Sequence, residues 1–341
     1  MAVSFTNPVS PLDADFNPAH GWLNQYEFPR QIIDVNGDGY ADIAGFGDAG
    51  VLVSYGSAQG TFSGASLLPD TDLYAHILPW EGDEFPRELT EFNRDGRADI
   101  VAYEHSGVVV SIAQGGNFTD QHRLDDFGIE QGWTSQDSFP RRVADVNGDG
   151  TPDIVGFGIA GTWVALGNGD GTLRPVQMAL ADFGTNQGWT SDDKFHRVLA
   201  DVNGDGKADI VGFGYAGTYV ALAKGDGTFF DAQLASKAYG VNSEWDSNNE
   251  FPRLVGDVNH DGRADIVSFA YDGTYVALAQ PDGTFADAAK VLANFSPAQG
   301  WVNNNTYPRE LADVNNDGRL DIVGFGAPGV LVGFNQGDLV L

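Results

Sequence analysis

Six acidic loops of closely similar sequence recur along the 341 residues of the chain, and consecutive copies begin 54 to 57 residues apart. Their common pattern is Asp-x-Asn-x-Asp-Gly-x-x-Asp. Side-chain oxygens at positions 1, 3, 5 and 9, with a backbone carbonyl at position 7, form the donor set of a hard cation such as calcium, Ca2+. Five copies carry the full set, namely Asp34, Asn36, Asp38, Asp42; Asp145, Asn147, Asp149, Asp153; Asp201, Asn203, Asp205, Asp209; Asp257, Asn259, Asp261, Asp265; and Asp313, Asn315, Asp317, Asp321.

These loops do not have the EF-hand pattern, because glycine replaces the bidentate Glu at position 12 (Gly45, Gly156) and a strand-like run follows position 9. A second interpretation needs no metal, since Asp and Asn side chains also close tight turns through hydrogen bonds to the backbone. We expect calcium in at least one loop. The second copy is the weakest candidate, because it begins with Glu91 and contains Arg94 and Arg97.

A tryptophan stands eleven or twelve residues before each acidic loop and is mostly followed by neutral polar residues. An exposed indole beside amide and hydroxyl groups suits a sugar, which offers one C–H face and several hydroxyls. The alternative is that the indoles wedge neighbouring repeats together. The candidate sugar-binding residues are Trp22, Asn24, Trp133, Ser135, Trp189, Ser191, Trp245, Ser247, Trp301 and Asn303. Trp80 is the equivalent in the second repeat, and the seventh tryptophan, Trp163, falls inside a strand, where we expect it to pack.

An aromatic-Pro-Arg motif lies between each tryptophan and its loop, as in Phe139-Pro140-Arg141. The fourth repeat has Phe195-His196-Arg197 instead. Proline is tolerated at the start of a strand, and an arginine there can bind carboxylates or carbonyls between neighbouring units. We therefore predict a structural role for these arginines.

Each repeat contains four short runs rich in β-branched and aromatic residues, separated by Gly/Asp/Asn turns, which predicts a four-stranded antiparallel sheet. Six such units predict an all-β, six-bladed β-propeller spanning residues 1–341 as one domain. The segment from Phe5 to Trp22 parallels that from Phe285 to Trp301, whereas the last repeat ends near the start of its own fourth strand. We therefore expect the N-terminal strand, residues 1–12, to complete the last blade.

The composition indicates an acidic folded protein, with 18 Lys and Arg against 48 Asp and Glu and a formal charge of −30. Such a charge argues against nucleic acid and anionic membranes as partners. The chain has no cysteine, no segment of transmembrane length and no basic, apolar signal peptide at its start. We expect no membrane insertion, a cytoplasmic or non-classically secreted location, and plausibly a monomer.

The sequence Asp-Val-Asn-Gly-Asp-Gly-x-x-Asp-Ile-Val-Gly-Phe-Gly-x-x-Gly, preceded by Gly-Trp and Phe-Pro-Arg, resembles FG-GAP/VCBS-type repeats. It is most similar to those of the Psathyrella velutina-type fungal lectins, whose best-known members have seven blades. The resemblance implies a calcium-assisted propeller that binds glycans or glycoproteins. It implies recognition of N-acetylglucosamine, and in some members sialic acid or fucose, in shallow pockets between neighbouring blades.

The predicted function is therefore multivalent sugar binding without catalysis. In each pocket we expect a tryptophan platform and, as a close backbone wall, the turn between the second and third strands of a neighbouring repeat, with Gly161 and Gly217 as examples. We expect a weakened pocket in the second repeat, where Glu104 to Gly107 departs from the pattern. The alternatives are an integrin-like adhesion or scaffold propeller with a protein partner and, with least support, an enzyme, because the six histidines fall at scattered repeat positions.

Overall fold

The computed structural model describes residues 3–8, 13, 15–69, 83–114 and 117–338. In these residues the chain forms 25 β-strands and five 3-10 helices of one turn each. No helix among them is long and apolar enough to cross a membrane. The 3-10 helices are Pro18–His20, Ile129–Gln131, Thr185–Gln187, Val241–Ser243 and Pro297–Gln299.

Five blades are antiparallel sheets of four strands in sequence order. The first contains β2 (Arg30–Ile33), β3 (Asp42–Gly47), β4 (Gly50–Ser54) and β5 (Ser66–Leu67), and the second contains β6 (Arg87–Thr90), β7 (Asp99–Tyr103), β8 (Val108–Gln114) and β9 (Asn117–Leu124). The third contains β10 (Arg141–Ala144), β11 (Asp153–Phe157), β12 (Thr162–Ala165) and β13 (Gln177–Leu180). The fourth contains β14 (Arg197–Ala200), β15 (Asp209–Phe213), β16 (Thr218–Ala221) and β17 (Gln233–Ser236), and the fifth contains β18 (Arg253–Gly256), β19 (Asp265–Ala270), β20 (Gly273–Ala277) and β21 (Ala289–Leu292).

The sixth blade joins the two ends of the chain. Its sheet contains β22 (Arg309–Ala312), β23 (Asp321–Gly326) and β24 (Gly329–Gly333). The next strand, β25 (Asn335–Asp338), pairs with β1 (Val3–Phe5) in a separate two-stranded sheet. Further along, Asp13 pairs with Val330 of β24. The predicted six-bladed propeller, closed by its N-terminal strand, is confirmed; of the predicted strand 1–12, residues 1–2 and 9–12 lie outside the described residues.

The core lies between neighbouring blades. Second strands such as β11 and β15 read Asp-Ile-Val-Gly-Phe and are buried at every position, because each of their faces meets another blade. One apolar cluster joins Phe325 and Val330 of the sixth blade to Phe16, Trp22 and Ile43 of the first, which closes the ring. Radial packing of this kind leaves only short edges unpaired.

The two faces of the ring carry different loops. The acidic loops join the first and second strands and lie beside the turns between the third and fourth strands, as Gly225 does beside Lys207. The connections between blades, with their tryptophans, and the turns between second and third strands lie on the opposite face. The predicted segregation of calcium-type loops from tryptophans is confirmed.

Candidate functional site

The recurring tryptophans are held at the start of each blade by a short connection. In the third blade the 3-10 helix Ile129–Gln131 ends at Gly132, whose φ of 100° reverses the chain and directs Trp133 inward. Four of these tryptophans are only 5–8% exposed, and Trp245 is half-buried. Trp80 lies outside the described residues. The expectation of an exposed indole platform is therefore wrong for the four buried side chains, which are Trp22, Trp133, Trp189 and Trp301.

The packing of the four buried indoles explains a glycine in the second strand of each of their blades. A Cβ atom at Gly212 would lie 2.6 Å from Cη2 of Trp189, and the same contact occurs at Gly45, Gly156 and Gly324. Since real Cβ atoms do not approach so closely, the indole occupies the space of the missing side chain. In the fifth blade Ser268 replaces this glycine, and Trp245 is correspondingly less buried.

Open cavities remain beside two of these indoles, at equivalent places. The one in the third blade has a volume of about 310 Å³ and is lined by Trp133, Gln131, Ile159 and Trp163. The one in the first blade, of about 460 Å³, is lined by the equivalent indole and turn. The edge of the tryptophan thus forms part of the cavity wall, and Trp163, predicted only to pack, lines the cavity as well.

The turn between the second and third strands carries one variable side chain, which is Asp48 or Ile159 beside the two cavities. In the fourth and fifth blades this residue is Tyr215 or Tyr271, with 59% and 68% of its surface exposed. The ring of Tyr215 lies 6.3 Å from that of Phe195. These exposed aromatic side chains were missed in the sequence analysis, which named only glycines of the turns as binding residues. The turn comes from the repeat that its tryptophan precedes, and not from a neighbouring one.

The predicted glycine wall faces the protein. A Cβ at Gly161 would meet the backbone at Leu180, and one at Gly217 would meet the backbone at Ser236. Both glycines have φ near 150°, with values of 149° and 148°. Their close backbone approach is therefore to the next connection of the same chain, which corrects the expected contact with a sugar.

The polar residues that follow the tryptophans bind neighbouring backbone and side chains. Ser191 donates a hydrogen bond to Oδ1 of Asp137 at 2.9 Å, across the boundary between blades. Ser135 and Ser247 make the equivalent bonds to Asp83 and Asp193. Asn24 and Asn303 instead accept a backbone N–H three residues further on. These five side chains are engaged in holding the connections together, so the expectation that they face a ligand finds no support in their contacts.

The arginines of the aromatic-Pro-Arg motif join adjacent blades, as predicted. Arg141 is buried, donates to the carbonyl of Glu84 at 3.0 Å, and lies with its Cζ 4.9 Å from the ring of Tyr103 in the preceding blade. The other five arginines stack in the same way at 4.9–5.5 Å: Arg30 on Phe325, Arg87 on Phe46, Arg197 on Phe157, Arg253 on Phe213 and Arg309 on Phe269. Burial lowers the pKa of Arg141 to about 10.

The variant motif of the fourth repeat builds a charged cluster. Asp192 receives Arg142 at 2.6 Å and Nδ1 of His196 at 2.9 Å, and it also lies 3.5 Å from Arg197. Despite burial, Arg142 and His196 hold the pKa of Asp192 well below its usual range. Burial lowers the pKa of His196. The cluster binds neighbouring blades together, because Arg142 belongs to the third.

The acidic loops are closed by hydrogen bonds to their own backbone. In the third repeat Asp145 accepts from the N–H groups of Gly148 at 2.7 Å and Gly150 at 2.6 Å, and Asp149 accepts from Thr151 at 2.8 Å. Among the described residues, no three acidic or histidine side chains are grouped as metal ligands would be. The oxygen donors suit calcium, whereas their present arrangement is that of a closed Asx turn.

The aspartate at position 9 lies inside the blade. Asp153 is fully buried, and its two oxygens accept the N–H groups of Val146 at 2.9 Å and Gly167 at 2.8 Å. Burial raises the pKa of its carboxyl to about 7. The equivalent residues make the same two bonds, namely Asp42, Asp99, Asp209, Asp265 and Asp321. This position therefore braces the loop against the third strand whether or not a cation is bound.

Comparison with known proteins places these features in a family. The FG-GAP-like repeat model matches residues 92–156, 145–212 and 257–324, together just over half of the chain. A lectin of Agrocybe aegerita, described as recognising non-reducing terminal N-acetylglucosamine, is 36% identical, with a TM-score of 0.78 over 95% of this chain and 80% of that one. The TcdB2-TccC3-Cdc42 structure, 14% identical, matches 97% of this chain and 15% of its own with a TM-score of 0.51, which shows the fold alone. No curated protein matches the chain.

Proposed function

The chain belongs to the FG-GAP-like repeat family of β-propellers that includes fungal lectins, and we propose that it is itself a multivalent lectin. The observation that supports this proposal best is the recurrence of one construction along the ring. In the first and third blades a cavity with an indole edge in its wall opens beside a short turn, and the equivalent turns of the fourth and fifth blades carry an exposed tyrosine. The similarity to the Agrocybe aegerita lectin favours terminal N-acetylglucosamine as the ligand, with sialic acid and fucose as secondary candidates.

Sugar recognition in these cavities would follow from the chemistry of their walls. At the equivalent places in the fourth and fifth blades, the exposed ring of Tyr215 or Tyr271 would offer a flat apolar face to the C–H groups of a sugar ring. In the third blade Ile159 supplies apolar surface instead, while Asp126 and Gln131 provide an acceptor and an amide for hydroxyl and acetamido groups. The tryptophan would contribute its edge and the rigidity of the wall.

The ring arrangement would turn weak single sites into strong attachment to surfaces. The described connections lie on one face of the propeller, so sites beside them would point in related directions. A second site engaged on the same surface binds at a high effective concentration, which can raise avidity by about 10²–10⁴. The proposed targets are therefore dense surface glycans and glycoproteins.

A glycan array with matched variants tests the proposal. We expect wild-type protein to bind terminal N-acetylglucosamine, and the Tyr215→Ala, Tyr271→Ala double variant to lose at least tenfold in apparent affinity. The control is Phe230→Ala, which removes an exposed aromatic ring placed outside these cavities. A blank array from folded wild-type protein would contradict the lectin proposal and favour a scaffold with a protein partner. Equal losses in the double variant and the control would contradict the proposed position of the sites.

We also propose calcium as the cofactor of the acidic loops, held by positions 1, 3 and 5. Asp34, Asn36 and Asp38 are the preferred set, because among the described residues no basic side chain forms an ion pair with that loop. In four other loops a lysine or arginine at position 7 pairs with the carboxylate at position 5, as Lys207 does with Asp205 at 2.8 Å. In the third loop Arg94 pairs with Asp149 at 3.1 Å. When bound, the cation would cross-link the loop. Since the loops lie on the face opposite to the cavities, its effect on sugar binding would be indirect.

A further inference from the structure

A separate cavity of about 160 Å³ opens at the mouth of the central channel, on the face of the inter-blade connections. Residues from five blades line it, among them Tyr26, Asp137, Asp193, Asn249 and Asn305. The cavity is smaller than the roughly 300 Å³ typical of pockets for drug-sized ligands, so it has room for one small molecule.

The lining residues form a belt in which each blade binds the next. Oδ1 of Asp137 accepts the N–H of Asp193 at 2.8 Å, and Oδ1 of Asp193 accepts the N–H of Asn249 at 2.6 Å. The belt continues in the same way: Oδ1 of Asn249 accepts the N–H of Asn305, and Oδ1 of Asn305 accepts the N–H of Gln25. Within the described residues, the second carboxylate oxygens of Asp137 and Asp193 accept no side-chain or backbone hydrogen bond. One arc of the cavity therefore carries two available acceptors with negative charge.

The first blade breaks the pattern of the belt with an aromatic residue. Tyr26 stands where the other blades have aspartate or asparagine, and its side chain is 46% exposed. Burial, followed by the carboxylates of Asp137, Asp83, Asp192 and Asp193, raises its pKa to about 12. Tyr26 lines the same cavity as Asp137 and Asp193, on the side of the first blade. Its ring and the carboxylates together create a site attractive to a cation.

The fifth and sixth blades present neutral amides to the cavity, from Asn248, Asn249, Asn304 and Asn305. Oδ1 of Asn248 accepts the N–H of Arg253 at 3.0 Å, and Oδ1 of Asn249 accepts the N–H of Asn305 at 2.8 Å. The amide NH2 groups on this side are donors suited to a ligand oxygen.

We propose that the axial cavity binds a small amine that also carries hydroxyl groups, such as an amino sugar with a free ammonium group. The ammonium lies between the carboxylates of Asp137 and Asp193 and the ring of Tyr26, and the hydroxyl groups face the asparagine amides of the fifth and sixth blades. This site is distinct from the cavities beside the tryptophans, and it distinguishes a charged amine from its neutral, acetylated form.

The chain itself supplies variants that preserve the belt. Asn occupies the equivalent position in the fifth and sixth blades and keeps the Oδ1 acceptor. Asp137→Asn with Asp193→Asn therefore removes two charges without removing the inter-blade hydrogen bonds. Conversely, Asn249→Asp adds a charge at the same belt position. Asp231→Asn with Asp287→Asn is the control, because it makes the same change in net charge at exposed positions outside the cavity.

Calorimetric titration with glucosamine, with N-acetylglucosamine as the neutral comparison, tests the proposal at moderate salt, where bulk electrostatic attraction is screened. We expect one saturable glucosamine site that is at least tenfold weaker in the Asp137→Asn, Asp193→Asn variant, severalfold tighter in Asn249→Asp, and unchanged in the exposed control. Binding of N-acetylglucosamine should not respond to these belt variants. No saturable glucosamine site, or an equal loss in the exposed control, would overturn the proposal, as would a loss of N-acetylglucosamine binding that matches the loss of glucosamine binding.

Discussion

Four of the recurring tryptophans are each paired with a glycine in the second strand of the blade. Phe183, Trp189 and Gly212 show the arrangement, with the two rings 4.8 Å apart and both in contact with the position where a Cβ would stand. The indole therefore serves as a core residue whose edge reaches a cavity. This dual placement makes tryptophan substitutions poor probes of ligand binding, because they remove packing at the same time.

Gly212→Ala should lower the free energy of unfolding by about 1–3 kcal/mol, because the new methyl group overlaps with Phe183 and Trp189. Gly64→Ala is the control, since a Cβ there meets nothing within 4 Å and its φ is not positive. Denaturant titration followed by tryptophan fluorescence measures both. Equal stability of the two variants would show that the indole does not depend on the glycine.

The sequence was informative about which residues recur and less so about which way they face. The regular spacing of the tryptophans was clear from the sequence. Sugar binding and packing both remained possible roles, because spacing alone does not reveal burial. The glycine at position 12 of the loop was read only as a missing calcium ligand, although it marks the place where Trp189 packs. Tyr215 and Tyr271 escaped notice because they occupy the variable position of a turn, where no repeat is visible.

At the scale of elements, the acidic loop is a closed turn that a cation could reinforce. Its side chains already satisfy backbone N–H groups, and in several repeats a basic side chain neutralises position 5. This explains why a metal-type pattern was recognisable in the sequence, whereas the need for the metal was not. A loop that binds a metal and a loop that only closes an Asx turn carry the same donor types. Only the charges of the surrounding side chains differ.

Calcium should raise the melting temperature, and the first loop should account for more of that rise than the fourth. Asp34→Asn should therefore remove a larger part of the calcium response than the matched Asp201→Asn, because Lys207 already compensates the charge of the fourth loop. Thermal unfolding with calcium and with a chelator measures this. Chelation should lower the melting temperature more than it lowers the affinity of folded protein for sugar. A complete loss of sugar binding by folded, calcium-free protein would contradict the placement of loops and cavities on opposite faces.

The innermost strands carry a carboxyl group whose ionisation should weaken the ring. Glu310 in β22 accepts the N–H of Ile32 in the next blade at 2.8 Å, and burial raises its pKa to about 7. A carboxyl group with a raised pKa binds its proton more tightly in the folded state. The stability that the protonated carboxyl group contributes is therefore fully present below the unfolded pKa of about 4.3 and is lost as the pH rises towards 7.

Replacing Glu310 with Gln should remove this pH dependence. Between pH 5 and 8 the wild type should lose about 1–3 kcal/mol of stability relative to Glu310→Gln. Glu250→Gln, at an exposed position, is the control. Denaturant unfolding at a series of pH values measures the difference, and parallel curves for the wild type and Glu310→Gln would show that the buried carboxyl does not titrate in this range.

At the scale of the molecule, closure of the ring was predictable from the two ends of the sequence. The N-terminal segment repeated the pattern of a fourth strand, and the last repeat lacked one, so pairing between them followed from counting strands. The structure adds what counting could not supply. Val3 and Phe5 are core residues of the cluster between the fifth and sixth blades, and Asp13 extends the pairing to β24.

Removal of residues 1–13 should therefore open the ring and not merely shorten the chain. The truncated protein would lose the buried Val3 and Phe5 and expose β24 and β25 as an unpaired edge, which invites association between copies. We expect a melting temperature lower by at least about 10 °C, because burial of two apolar side chains and a strand pairing amounts to several kcal/mol. A synthetic peptide of residues 1–13 should restore stability in trans, whereas a peptide with Val3→Asp and Phe5→Asp should not. An unchanged melting temperature after truncation would mean that the sixth blade holds the ring closed without its N-terminal strand.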